Sequence, residues 1–164
     1  MTIATTQLAP ADTDGLLSQA FTVLLAGAAA LLAFDIFGQV LSPMAGFAAL
    51  APVGLANSTI KAVFGAGWRP GAEGLHYLAG LVAYPLGWVI VEQVRRRILP
   101  ALPWLAVAVA YGVILWVFAL YVMAHLVAGM KPFLGWGGIT YVALWGHILF
   151  AVVAAAIYRW RHPA

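Results

Sequence analysis

Apolar residues dominate four long stretches of the chain, and short segments rich in glycine, proline or charge separate them. The stretches cover residues 16–41, 75–94, 102–127 and 139–158. An α-helix needs about 20 apolar residues to cross about 30 Å of hydrocarbon. Backbone groups in lipid must bond within their own segment, and the period-2 alternation of barrel strands is not seen here. The pattern predicts an all-α polytopic membrane protein, a four-helix transmembrane bundle forming one domain over residues 16–164.

The segment 43–65 is apolar but does not fit the same description. Pro43 and Pro52 interrupt it, and Asn57 and Lys61 make its second half amphipathic. Proline inside a helix removes a hydrogen-bond donor and clashes with the preceding turn. We expect a broken interfacial or re-entrant segment with no continuous helix through Pro52. The alternative is a fifth span, which would move the N-terminus to the opposite side of the membrane.

The first 15 residues form a polar N-terminal tail that contains no lysine or arginine. A secretory signal begins with a basic region. We therefore expect the first span to be retained as an anchor.

Composition narrows the class of protein further. Of the 164 residues, 65% are hydrophobic and 8% are charged, whereas a soluble domain is typically about 25% charged. This excludes an ordinary water-soluble enzyme and a nucleic-acid binder. The expected partner is the lipid bilayer, together with other membrane subunits or a second copy of the chain. The absence of cysteine removes disulfides and thiolate metal sites.

Five arginines follow the second and fourth spans, and two spans separate the two groups, so they lie on the same side: Arg95, Arg96, Arg97, Arg159 and Arg161. Lys131 and Arg69 belong to the other side. Short loops rich in lysine and arginine stay in the cytoplasm. The sequence therefore predicts a membrane protein whose arginine clusters and C-terminus are cytoplasmic. The same arginines are candidates for binding anionic lipid headgroups.

Ionisable side chains within spans are costly and usually face the bundle interior. At 1.5 Å per residue, four of them lie at similar depth near the outer ends of three helices: Asp35, Glu73, His76 and His125. His147 lies deeper in the fourth span, roughly 12 Å below its outer end. We expect Asp35, His76 and His125 to form one polar patch inside the bundle, with Glu73 at its rim. The five-span alternative would remove Asp35 from this group.

Three functional hypotheses follow from these residues. His76, His125 and Glu73 or Asp35 would suit a zinc-like ion, because imidazole and carboxylate are common metal ligands. His76 and His125 would also suit a b-type haem with two histidine ligands. A proton or small-solute path would use Asp35, His76, His125 and His147.

The plainer interpretation is a set of interhelical hydrogen bonds that only fixes packing. No catalytic motif appears in the chain. The sequence therefore favours a small membrane protein without evident catalytic chemistry, an accessory, assembly or structural subunit that carries no cofactor.

The last span contains Trp145, Gly146 and His147, then an apolar run, and ends in Tyr158, Arg159, Trp160 and Arg161. In this stretch of about 25 residues the chain resembles the YagU-like family of small bacterial inner-membrane proteins. The resemblance implies a bacterial inner-membrane protein without known catalytic chemistry and draws attention to Gly146 and His147.

Overall fold

The computed structural model describes residues 13–162, and within that range it contains helices and turns but no β-strand. Two of the helices are uninterrupted by any other helical type: α2 (Pro52–Phe64) and α5 (Gly138–Arg161). A short 3₁₀ turn at Pro132–Trp136 precedes α5.

The other three helices each combine α-helical and π-helical stretches. Helix α1 is α-helical over Thr13–Asp35, π-helical over Ile36–Leu41, and closes with a last turn at Ser42–Met44. Helix α3 is α-helical over Arg69–Leu78 and Tyr84–Ile98, with a π-helical stretch at Ala79–Ala83 between them. Helix α4 is α-helical over Trp104–Val117 and π-helical over Phe118–Val127.

Four of these helices are long and apolar enough to cross a membrane: Gly15–Met44, Arg69–Ile98, Trp104–Val127 and Gly138–Arg161. This confirms the predicted all-α, four-helix architecture. Helix α3 begins at Arg69, before the predicted 75–94 span. Its first turns are polar on one face, so a search for continuous apolar stretches does not include them. The structure describes the N-terminal tail only from residue 13, so the expectation about residues 1–12 lies outside the described part.

Helix α5 is the centre of the bundle, and both α1 and α4 pack along it. Small side chains allow this close packing. Four alanines in these helices have no exposed surface: Ala108, Ala151, Ala154 and Ala155. Gly112 of α4 lies so close to α5 that an added Cβ would stand 2.6 Å from the Cα of Ile148. Small residues at such crossings let transmembrane backbones approach one another.

Two of the π-helical stretches lie just before prolines. Pro85 cannot donate a backbone hydrogen bond, and the Tyr84 N–H reaches back to the Ala79 carbonyl. Pro43 has the same effect on α1, where the Ser42 N–H bonds to the Phe37 carbonyl. A mid-helix proline is expected to distort its helix, and here the distortion takes the form of a wider helical turn.

The chain breaks between α1 and α2, as predicted for residues 43–65. Pro52 occupies the first turn of α2, where its missing N–H costs little. The Leu50 N–H donates to the Gly38 carbonyl at 2.8 Å, and the residue five positions after Gly38 is Pro43, which has no N–H to offer. Because Gly38 lies about 9 Å below Met44 along the helix, the chain folds back beside α1 before α2 begins.

The two predicted arginine groups lie at one end of the bundle. Arg95, Arg96 and Arg159 surround the carboxylate of Glu92, and an Arg96 Nη2–H reaches the His162 carbonyl at 3.5 Å. We call this the arginine end. The opposite end, which carries the three π-helical stretches and α2, is called the cavity end.

Candidate functional site: an apolar cavity between the helices

A cavity of about 350 Å³ lies in the cavity end. All four long helices and α2 contribute to its wall, and most of the lining side chains are aliphatic or aromatic. The π-helical stretches of α3 and α4 line it directly, through residues such as Gly80 and Leu120. Stretches of π-helix often occur at functional sites, because they displace side chains from a regular α-helical register.

Part of the cavity wall also belongs to the outer surface of the bundle. Leu78 of α3 and Phe118 of α4 both line the cavity, and they are 58% and 43% exposed, respectively. These side chains lie on apolar candidate spans, so an opening beside them would face the region that lipid tails occupy. Helix α2 closes the cavity from the end of the bundle, with Leu55, Ala56 and Thr59 facing it.

His147 is the deepest polar group of the cavity wall. Its Nδ1 donates to the Ala143 carbonyl at 2.7 Å, since a carbonyl oxygen only accepts. The ring also makes an edge contact with Phe34, with the ring centroids 5.2 Å apart. The hydrogen bond and the ring contact fix the imidazole. Its Nε2 makes no hydrogen bond to the described residues and is not fully enclosed, and the ring lines the cavity.

Tyr84 stands beside His147, with ring centroids 6.5 Å apart. Its side chain lines the cavity, and its hydroxyl has no hydrogen-bond partner among the described residues. Its backbone carbonyl accepts a hydrogen bond from Tyr111 at 2.7 Å, which ties α3 to α4 next to the cavity. The sequence pattern does not single out Tyr84; the only available signal is its place next to Pro85.

Asp35 and His76 are in contact at the cavity end, where the helical rise per residue places both of them. His76 Nε2 lies 3.3 Å from Asp35 Oδ1, and the Gln39 amide donates to the same carboxylate oxygen at 2.7 Å. Asp35 and Gln39 line a separate niche on the surface of α1 and α3, whereas His76 lines both this niche and the cavity. The contact agrees with the four-span topology, because a fifth span would have put Asp35 at the other end.

The remaining members of the predicted cluster have other partners. Glu73 pairs with Arg69 at 3.0 Å on the surface. His125 Nδ1 donates to the Met130 carbonyl at 2.7 Å, and its ring packs on Tyr121. His125 is not among the residues that line the cavity. The described contacts therefore join Asp35 to His76 and leave Glu73, His125 and His147 at separate places.

These positions bear on the metal and haem hypotheses. Within residues 13–162, no group of three or more histidine, aspartate or glutamate side chains is arranged to hold a metal ion. His76 and His125 do not face a common cavity. The cavity suits uncharged, largely apolar molecules, with hydrogen-bonding groups at His76, His147 and Tyr84.

A further buried polar group, Glu92, lies among the arginines of the arginine end. Its carboxylate is 1% exposed and accepts two hydrogen bonds from Arg95, at 2.7 and 2.8 Å, and one from Arg96 at 2.9 Å. Arg159 of α5 approaches it to 3.8 Å. The spacing of three and four residues between Glu92 and its partners is visible in the sequence.

Arg97 and Arg161 do not join this ion-pair network. Arg97 is exposed, and the Arg161 guanidinium lies 5.5 Å from the ring centroid of Phe21.

No protein-family model matches the chain, and no curated protein or solved structure shows significant similarity to it. By its fold, the chain is a small multi-pass membrane protein with four candidate membrane-spanning helices. The resemblance of its last helix to the YagU-like family stays a prediction.

Proposed function

We propose that this protein is a non-catalytic accessory subunit of the bacterial inner membrane that binds a small, largely apolar molecule taken from the bilayer. The observation that carries the proposal is the cavity of about 350 Å³ among its membrane-spanning helices. Ligand pockets in proteins typically measure about 300–1,000 Å³ and are mostly apolar with a few placed polar groups. The orientation we propose places the arginine end and the C-terminus in the cytoplasm, on the basis of the positive-inside rule.

The position of the opening supports a ligand that arrives through lipid. Leu78 and Phe118 border the cavity and are exposed on the side of the bundle. An apolar molecule dissolved in the bilayer would meet this opening without crossing water. The end of the bundle is covered by α2, which packs on α3 and α4.

Photolabelling of the purified protein in phosphatidylcholine nanodiscs tests the proposal. The probe is 3-trifluoromethyl-3-phenyldiazirine, an apolar aryl diazirine, and mass spectrometry locates the labelled residues. Met123 lines the cavity, whereas Ile114 of the same helix does not and is 61% exposed. We expect labelling of Met123 to saturate with probe concentration and labelling of Ile114 to rise in proportion to it.

Filling the cavity provides the control. Ala143 lines the cavity and is 4% exposed, so Ala143→Phe should remove the saturable labelling of Met123 and leave that of Ile114 unchanged. Labelling of Met123 that rises without saturation in the wild-type protein would overturn the proposal.

A further inference from the structure

Two polar groups in the cavity wall face the same space without bonding to each other. His147 Nε2 and the Tyr84 hydroxyl both lack a hydrogen-bond partner among residues 13–162, although the two rings are neighbours, with centroids 6.5 Å apart. Neither atom is fully enclosed by protein, and both residues line the cavity. Each atom therefore has a hydrogen-bonding position that a molecule in the cavity can reach.

The protonation of His147 defines what the ligand must offer. Because Nδ1 carries the proton that goes to the Ala143 carbonyl, the neutral ring presents Nε2 as an acceptor. An unpaired charge would be expensive beside Phe34 and Tyr84, so the ring is neutral. The ligand must therefore provide a hydrogen-bond donor at this point.

The Tyr84 hydroxyl can donate as well as accept. Its neighbour His147 already requires a donor, so the complementary role for Tyr84 is to donate to the same ligand atom. A hydroxyl group is the uncharged group that donates one hydrogen bond and accepts another through one oxygen. A ketone or ether oxygen could satisfy Tyr84 only, and a carboxylate would bring a charge into an apolar cavity.

We propose that the cavity binds a hydroxyl-headed apolar molecule, an alcohol or a phenol, whose oxygen donates to His147 Nε2 and accepts from the Tyr84 hydroxyl. The rest of the molecule lies against the aliphatic and aromatic wall and points towards the opening at Leu78 and Phe118. This inference rests on the proposed function, since it names the class of ligand for the same cavity.

Competition against the photolabelling of Met123 tests the inference, with 1-naphthol and 1-methoxynaphthalene as competitors. The two compounds have nearly the same shape, but the methyl ether cannot donate a hydrogen bond. We expect 1-naphthol to compete at a concentration about tenfold lower, which is the effect of one or two additional hydrogen bonds. The two compounds partition differently into lipid. This difference cancels when the ratio of their competing concentrations is compared between protein variants.

His147→Phe and Tyr84→Phe keep an aromatic ring in place and should each reduce the preference for 1-naphthol several-fold. His125→Phe and Tyr141→Phe are the matched controls. His125 makes the same kind of Nδ1–H to carbonyl bond outside the cavity, and Tyr141 is 53% exposed. Both controls should retain the wild-type preference. If His147→Phe does not fold, Tyr84→Phe decides the question.

Each contrary result has its own meaning. Equal loss of preference in the controls, or a preference that survives both cavity variants, would overturn the hydroxyl inference. Saturable labelling of the wild-type protein without a preference for 1-naphthol beyond the partitioning ratio would also overturn it. Bound water would then satisfy His147 Nε2 and the Tyr84 hydroxyl. Absence of saturable labelling would overturn the proposed function itself.

Discussion

The two ends of the bundle differ in how their polar groups are bonded. At the arginine end, Glu92 is enclosed by three arginines, and the helices around it are regular and packed through alanine. At the cavity end, α1, α3 and α4 become π-helical and leave a space whose polar groups are incompletely bonded. The difference indicates that the arginine end holds the bundle together, whereas the cavity end leaves the space in which we propose that a ligand binds.

The largest effect should come from the Glu92 network. Glu92→Gln leaves the surrounding arginines without their carboxylate, and removing one partner of a buried ion pair costs about 3–5 kcal/mol. We expect a loss near 3 kcal/mol, because Arg96 and Arg159 are 40% and 29% exposed and can turn to solvent. Unfolding in mixed micelles with increasing SDS measures the change.

Glu73→Gln is the matched control at the cavity end. Its pair with Arg69 is exposed on both sides, and such pairs contribute about 0–1 kcal/mol. Equal losses for the two glutamate variants would remove the distinction between the two ends.

The next comparison adds side-chain volume to α5 at two positions, one away from the cavity and one beside it. Ala151 has no exposed surface and does not line the cavity, so Ala151→Leu should cost about 1–3 kcal/mol, as overpacking of a dense core does. Ala143, two turns earlier on the same helix, borders the cavity. Ala143→Leu should cost clearly less, since its added methyl groups have space to enter. Thermal unfolding in detergent compares the pair, and a larger loss for Ala143→Leu would contradict the description of the cavity as open space.

A single methyl group at the α4–α5 crossing should have a smaller effect. The Cβ of Gly112→Ala would stand 2.6 Å from the Cα of Ile148, which is a backbone atom that moves only with its helix. We expect a loss of about 1 kcal/mol, the lower part of the overpacking range. Gly74→Ala has open space around its Cβ and should leave stability equal or slightly raised, because alanine favours the helix. The same unfolding assay would refute the close crossing if Gly112→Ala were neutral.

The smallest effect concerns Asp35 and His76. Interhelical hydrogen bonds in membrane proteins contribute about 0.6 kcal/mol on average. A double-mutant cycle with Asp35→Leu and His76→Leu should give a coupling energy of that size. The parallel cycle with Asp35→Leu and His125→Leu should give none, because the described contacts of His125 are Met130 and Tyr121. Coupling between Asp35 and His125 would restore the single polar patch that the helix depths suggest.

Local rules explain which parts of the structure are predictable from the sequence. The lengths of the apolar stretches predict four spans, and the missing N–H of Pro52 predicts the start of a new helix there. The number of spans between the two arginine groups predicts that they share one end. The first two inferences need only the chain near the residues in question, and the third needs only the number of spans between the two groups.

The cavity and the polar contacts depend on how the helices pack, which depth alone does not determine. Helical depth suggests the contact between Asp35 and His76, but it cannot show that the His125 ring turns to the Met130 carbonyl. The π-helical stretches rotate the faces of three helices at the cavity end, so a regular 3.6-residue period gives the wrong neighbours there. Tyr84 directly follows the π-helical stretch of α3, so a regular helical period does not predict that its ring lies beside His147.

The position of Glu92 relative to Arg95 and Arg96 has a consequence for biogenesis. A charged residue costs about 2.5–3.5 kcal/mol at the centre of a helix that enters the membrane, and Glu92 near the end of α3 carries a smaller share of that cost. Glu92 meets two of its partners within one turn of its own helix, so the charge is compensated as soon as α3 forms. The segment can therefore leave the insertion machinery before α5 has been synthesised. Arg159 then adds a further positive charge beside a carboxylate that is already paired, and a chain that stalls before its last helix would retain an inserted and paired α3.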